Sequence, residues 1–305
     1  MLQAILLAML GIELAIYVAA YVYFSARGGG ALLVASGIVA LALSWRVSQT
    51  LASFAVAALL RSGDGRTLPW GNSMAALGDE IVSRIVTFSW RQPFLPFSCK
   101  ADPINAVVAH GVTPILLVHG YVCNRGLWAR LSARLALAGA GPVYTISLEP
   151  LFGGIDALVP KLAARVDEIL AQTGGSQIMV VAHSMGGLVT RAYRTSPAAA
   201  HIAKFVTLGS PHHGSRMARL GVGQNSRQMA DGSAWLAQLA QKEQQLHSRE
   251  NPPPTLSIYT LNDDLVYPPE SSVLDWAENV PVSAVGHVGL VFSPSVARRV
   301  IEFLR

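Results

Sequence analysis

Two textures of apolar residues divide the chain. Residues 1–60 include 44 apolar side chains, with Glu13, Arg27 and Arg46 as the only charges. Within them, residues 1–24 form a run broken by only two strongly polar side chains, Gln3 and Glu13. As a helix it would be about 36 Å long, enough to cross a bilayer. The first basic residue is Arg27, so the run lacks the basic leader of a secretory signal and reads as an anchor. Gly28-Gly29-Gly30 breaks it, and a second apolar run occupies 31–60 around Arg46. Either residues 28–45 span and 47–60 lie at the interface, or a span starting near Gly37 keeps Arg46 inside it. Ionisable groups at membrane depth are costly unless partnered. Glu13 and Arg46 are therefore expected to meet across a helical hairpin, the alternative being an Arg46 that reaches a headgroup alone.

Residues 62–72, with Gly63, Gly65, Pro69 and Gly71, read as a linker. Leu77, Ile81, Ile85 and Phe88 then recur near helical spacing among Asp79, Glu80 and Arg84, predicting an amphipathic helix over 74–90 that lies on a membrane or docks on the rest of the chain. Pro93 and Pro96 should end it. From Pro114 onward short apolar runs at 115–118, 143–148, 178–182, 205–208 and 256–261 read as buried strands. Helical patterns at 127–138, 155–172, 185–194 and 296–304 separate or follow them. This alternation predicts an α/β fold, a mainly parallel sheet with helices on both faces. Three regions result: a membrane-anchoring hairpin at 1–60, a linker and amphipathic helix at 61–112, and a folded domain at 113–305.

Composition sharpens this division. The chain is 51% hydrophobic and 13% charged, against about 25% charge in ordinary soluble domains, and the shortfall belongs mostly to residues 1–60. Intrinsic disorder is excluded. A net charge of +5 without a basic run gives no basis for nucleic-acid binding and suits an anionic bilayer as partner. Arg61, Arg66, Arg84 and Arg91 follow the second run while Arg27 alone sits in the turn. The positive-inside rule then places the folded domain in the cytoplasm, at a bacterial inner membrane, if both runs span; a single span would invert it. Cys99 and Cys123 allow one disulfide at most.

In parallel sheets chemistry collects at the carboxyl ends of the strands. After the strand at 178–182 stands Ala182-His183-Ser184-Met185-Gly186-Gly187. A serine in a sharp strand-to-helix turn projects its hydroxyl, and small residues two before and two after relieve the crowding. Ala182 occupies the first position, where glycine is usual. The Met185 N–H would lie at a helix N-terminus, suited to a developing oxyanion. Alone, the pentamer equally fits a serine helix cap. Downstream, Asp263 and Asp264 fall at a strand end, and Gly286-His287-Val288-Gly289-Leu290 places a histidine before the last helix. Ser184 needs a base, and the imidazole needs a carboxylate to fix its tautomer. Asp263 aligns better with the strand end than Asp264. His119-Gly120-Tyr121, after the first strand, would supply the Tyr121 N–H as a second oxyanion donor. His119 and His183 read as structural. His212 and His213, adjacent in a loop, lack the partners of a metal site, and the reading requires no metal or cofactor.

These motifs together, with Gly209-Ser210-Pro211-His212-His213-Gly214, resemble the serine lipases and esterases of the α/β-hydrolase superfamily, above all small bacterial triacylglycerol lipases. The resemblance covers residues 113–304 and leaves the hairpin outside. It implies hydrolysis of lipid-like carboxylic esters through an acyl-enzyme, with Ser184, Asp263 and His287 as triad and Tyr121 and Met185 as backbone oxyanion donors. An acyltransferase or thioesterase would use the same triad, and an inert membrane-bound binding module would keep the fold alone. Between the strands at 205–208 and 256–261 the chain carries a helix pattern at 230–245, read as a partial lid or acyl-chain wall against a plain surface helix.

Overall fold

A computed structural model describes residues 1–65, 67–98, 112–199 and 201–305. Two long helices, α1 (Leu2–Ala26) and α2 (Ala31–Gly63), pack as a hairpin about the glycine turn. Both are long and apolar enough to cross a membrane. α2 is continuous, so Arg46 lies within one helix. Arg46 Nη2 donates to Glu13 Oε2 at 2.6 Å and its Nε donates to Ser89 Oγ at 2.9 Å.

α3 (Trp70–Val86) starts earlier than its apolar pattern and passes through a π-turn at Thr87–Arg91 into α4 (Gln92–Ser98). The expected stop at Pro93 and Pro96 is therefore corrected, since the helix runs through both to Ser98. Proline is tolerated in the first turn of a helix, where its missing N–H has no intrahelical partner, and the π-turn supplies the break. Cys99 lies outside the described residues; Cys123 is buried.

The remainder forms one six-stranded sheet in the order β2-β1-β3-β4-β5-β6, parallel throughout. It consists of β1 (Ile115–Val118), β2 (Val143–Thr145), β3 (Gln177–His183), β4 (His201–Leu208), β5 (Thr255–Thr260) and β6 (Glu278–Val282). β2 is shorter than its apolar run because the Leu148 N–H leaves the ladder to donate to His119 Nε2 at 2.8 Å. β6 escaped the sequence pattern: it is a polar edge strand containing Pro281, a position where a missing N–H is tolerated.

Side-chain alternation along the strands builds two cores. Leu116, Val118, Val180 and Phe205 meet α6 (Ile155–Thr173) and α7 (Met185–Arg194). Ile115, Leu117, Val181 and Val206 meet α5 (Ala129–Leu137), α10 (Gly289–Phe292) and α11 (Pro294–Leu304). Between β4 and β5 lie α8 (Gln224–Met229) and α9 (Ala234–His247). α9 begins four residues later than expected, because Ala230 bridges to Ser215 and Ser233 caps the helix by accepting from the Leu236 N–H. A buried ion pair, Arg191 Nε to Glu243 Oε1 at 2.9 Å, ties α9 to α7.

The Glu13–Arg46 contact yields a prediction. Neutralising either partner as Glu13→Gln or Arg46→Gln should lower stability by roughly 1–2 kcal/mol, since a half-buried charge is left unpaired. The exchange Glu13→Arg/Arg46→Glu should recover part of that loss. Thermal unfolding of the detergent-solubilised full chain reads both effects.

Candidate functional site

β3 ends in the elbow, and the elbow carries a strained backbone. Ser184 adopts φ 55° and ψ −126°, a conformation that costs a non-glycine residue free energy and persists only where its surroundings enforce it. The Ser184 N–H donates to Leu208 O at 2.9 Å, anchoring the turn to the end of β4. Close backbone approaches hold it from the other sides. A Cβ on Gly186 would come within 2.4 Å of Val118 O, and one on Gly120 within 2.7 Å of Ser184 Cβ. Met185 is thus the first residue of α7, and the Gly120-Tyr121 backbone passes directly beside the serine.

His287 stands between β6 and α10 and is buried. Its Nδ1 lies 2.9 Å from Asp263 Oδ2. The other Asp263 oxygen accepts from the Leu265 and Val266 N–H groups at 2.9 and 2.7 Å. Burial opposes a charge on His287, but the carboxylates of Asp263, Glu80 and Asp264 outweigh it and raise the imidazole above its ordinary pKa. Of the two adjacent aspartates, Asp263 faces His287 and Asp264 turns away. Asp264 Oδ2 accepts from Arg84 Nη2 and Ser53 Oγ, each at 2.5 Å. Burial and the neighbouring Glu80 charge raise the Asp264 pKa to about 7, against the opposing pull of Arg84.

His119, His183, His212 and His213 are each held by neighbouring groups. His119 Nδ1 donates to Gly120 O at 2.9 Å, and burial lowers its pKa to about 4. His183 Nε2 donates to His287 O at 3.2 Å, with the two rings 4.7 Å apart. Burial, reinforced by His287, holds His183 well below its ordinary pKa. His212 and His213 diverge: His212 Nε2 is 3.1 Å from Thr207 Oγ1, and His213 Nε2 donates to Val273 O.

Three residues unassigned by the sequence reading converge here from the N-terminal region. The Val288 and Gly289 N–H groups donate to Glu80 Oε2 at 2.9 and 3.0 Å. The Gly286 N–H donates to Asp79 Oδ2 at 3.1 Å. On the opposite side of the site, the Asn124 N–H donates to Gln92 Oε1 at 2.6 Å. Asn124 also accepts from the Gly126 N–H at 2.9 Å, so it orders the loop that follows Tyr121. Arg125 Nε donates to Thr145 Oγ1.

Ser184, His287 and Tyr121 open on a cavity of about 480 Å³. Met217, Leu265 and Val288 form part of its wall, and the hairpin supplies more, with Leu6, Met9 and Leu10 from α1 and Trp45 from α2. Glu13 and Arg46 also line it. α9 is not part of this lining; the loop from Ser215 to Met229 is.

Residues 158–281 match the PGAP1-like alpha/beta domain family. Over 113 residues, 34% of the chain, the sequence is 32% identical to triacylglycerol lipases of Pseudarthrobacter phenanthrenivorans and Burkholderia plantarii. Those matches span 35% and 31% of the two lipases, about a third of their lengths. Among solved structures, Aspergillus fumigatus lipase B superposes with a TM-score of 0.55 at 17% identity, covering 66% of this chain and 54% of that one. Mature Bacillus licheniformis lipase BlEst2 gives 0.56 at 16%, covering 66% of this chain and 96% of that one. The parallel sheet, the elbow after its third strand and these likenesses together identify the chain as an α/β-hydrolase fold with sequence similarity to triacylglycerol lipases.

Proposed function

We propose that the protein is a membrane-tethered serine hydrolase cleaving carboxylic esters of apolar acyl chains. The observation that carries this is the conjunction of the His287–Asp263 contact, the constrained Ser184 and the largely apolar cavity they share. In this reading His287 takes the Ser184 proton, Ser184 attacks the ester carbonyl, and the Tyr121 and Met185 N–H groups stabilise the oxyanion. The alcohol leaves with the proton that His287 returns. Water, activated by the same imidazole, then releases the acid from the acyl-enzyme. The lipases to which the chain is similar support lipid esters as the substrate class.

Residues 113–305 form the catalytic domain in this assignment, residues 61–112 connect, and residues 1–60 tether. No residue between 14 and 44 lines the cavity, so this part of the hairpin is clear of it, while residues nearer both ends of the hairpin wall it. Each clear arm is about 20 Å long at 1.5 Å per residue. A tether of that length holds the cavity close to a lipid surface, where an apolar ester is concentrated.

Four outcomes test the reading. A fluorophosphonate probe should label the wild-type protein, and Ser184→Ala should abolish that labelling; persistent labelling of the variant would remove Ser184 from its role. Asp263→Asn should lower kcat by roughly 10³- to 10⁴-fold on p-nitrophenyl esters. In the wild type the base must be neutral, and its folded pKa is raised, so activity should fall with decreasing pH along a limb lying above the ordinary histidine range. Leu10→Trp should reduce kcat/KM for a dodecanoyl ester by at least about tenfold while sparing the butyryl ester, because it fills the hairpin side of the cavity. A chain-length profile unchanged from the wild type would mean that the acyl group lies elsewhere.

A further inference from the structure

The loop that carries His287 has glycine on both sides, Gly286 and Gly289, and neither has a positive φ. Space explains them. A Cβ on Gly286 would lie 2.3 Å from Glu80 Oε2, and one on Gly289 would lie 1.7 Å from Asp79 Oδ2. The glycines make room for two carboxylates of α3, and those carboxylates accept the N–H groups of residues 286, 288 and 289. Glu80 is fully buried. Its other oxygen accepts from Arg84 Nε at 2.7 Å, and the same guanidinium reaches Asp264, the neighbour of Asp263. One turn of α3 therefore grips both the loop of the histidine and the residue beside its carboxylate partner.

We propose that Glu80 is a positioning residue for His287, so that the segment preceding the lipase-like region is a working part of the active site. The proposal rests on the hydrolase reading above for its kinetic consequences. The two donated N–H groups belong to Val288 and Gly289, where α10 begins, and an acceptor carboxylate at a helix start fixes the direction in which the loop enters. Displacing an imidazole by about 1 Å can cost on the order of 100-fold in rate. Glu80 also acts through its charge. The titratable and charged groups packed around His287 are Asp263, which contacts its ring, and Asp264 beside it after β5, Glu80 and Asp79 on its loop backbone with Arg84 from α3, and His183 from β3. The Glu80 and Asp264 charges both favour the imidazolium.

Glu80→Gln and Glu80→Ala separate the two effects. The glutamine retains an acceptor oxygen and removes the charge. Its acid limb of kcat/KM should move to lower pH by roughly half a unit, with a modest loss of kcat. The alanine removes the acceptor as well, and kcat should fall about 10- to 100-fold with KM within about twofold. Where Glu80→Ala does not fold, the pH profile of Glu80→Gln decides. An unshifted limb in Glu80→Gln, or a folded Glu80→Ala with wild-type kcat, would overturn the proposal. A second readout is independent of turnover: the His287 pKa, followed by NMR with labelled histidine in Ser184→Ala, should drop when Glu80→Gln is added. If wild type hydrolyses no ester and takes no probe, the hydrolase reading fails, whereas this titration still reports whether Glu80 acts on His287.

Discussion

The structure around His287 is governed by one electrostatic constraint: three carboxylates, those of Glu80, Asp263 and Asp264, are buried close together beside a single guanidinium. Buried charges must be partnered or hydrogen-bonded. Asp263 meets this with His287 and two backbone N–H groups. Glu80 meets it with Arg84 and two more. Asp264 receives Arg84 and the Ser53 hydroxyl, and its raised pKa records that these do not fully offset burial beside Glu80. Arg84 is held charged because Asp264 and Glu80 together outweigh its own desolvation. Each group thus depends on the next, and the Asp263 carboxylate in contact with His287 is embedded in a network that begins on α2.

That network explains why the N-terminal helices are not merely appended to the sheet. Ser53 brings α2 to Asp264, Asp79 and Glu80 bring α3 to the histidine loop, and Gln92 brings α4 to the loop after Tyr121. The carbonyl of Arg91 sits where a Cβ on Gly126 would otherwise stand, 2.6 Å away, so the approach on this side is equally close. The two loops that flank Ser184 are gripped from outside the sheet by consecutive stretches of one segment. Because α1 and α2 also wall the cavity, the same residues that make the chain unusually apolar bound the space in front of the serine.

The sheet and the elbow were legible because they follow from local rules. Four-residue apolar runs such as Ile115–Val118 have few other uses, and Ser184 stands where such a run meets a helical pattern. The order Ser184, Asp263, His287 could be read for the same reason. β6 could not, since Glu278, Asn279 and Pro281 give an edge strand no apolar signature. Asp79 and Glu80 looked like the solvated face of an amphipathic helix, because periodicity reports which positions lie together and says nothing of what covers them. That Glu80 pairs with Arg84 and is buried against residue 288 is a tertiary fact. Gly286 and Gly289 were the remaining clue. They read as loop glycines, yet their cause is the volume of two side chains more than 200 residues away in sequence.

The alanine at the first small position of the elbow has an equally local explanation. Ala182 lies within β3, paired with Val118 on one side and Thr207 on the other, and its methyl joins the core beneath α7. The constraint on the other side of the serine is far tighter. A methyl on Gly186 would strike the carbonyls of Val118 and His119, and one on Gly187 would lie 2.2 Å from Ser210 Oγ. The helix, by passing close over β1 and the start of the loop after β4, requires glycine; the strand, leaving the sheet in ordinary register, does not. A departure from glycine before the serine therefore leaves the geometry of Ser184 intact, whereas the same departure after it would push α7 off the sheet and release the backbone that the turn depends on.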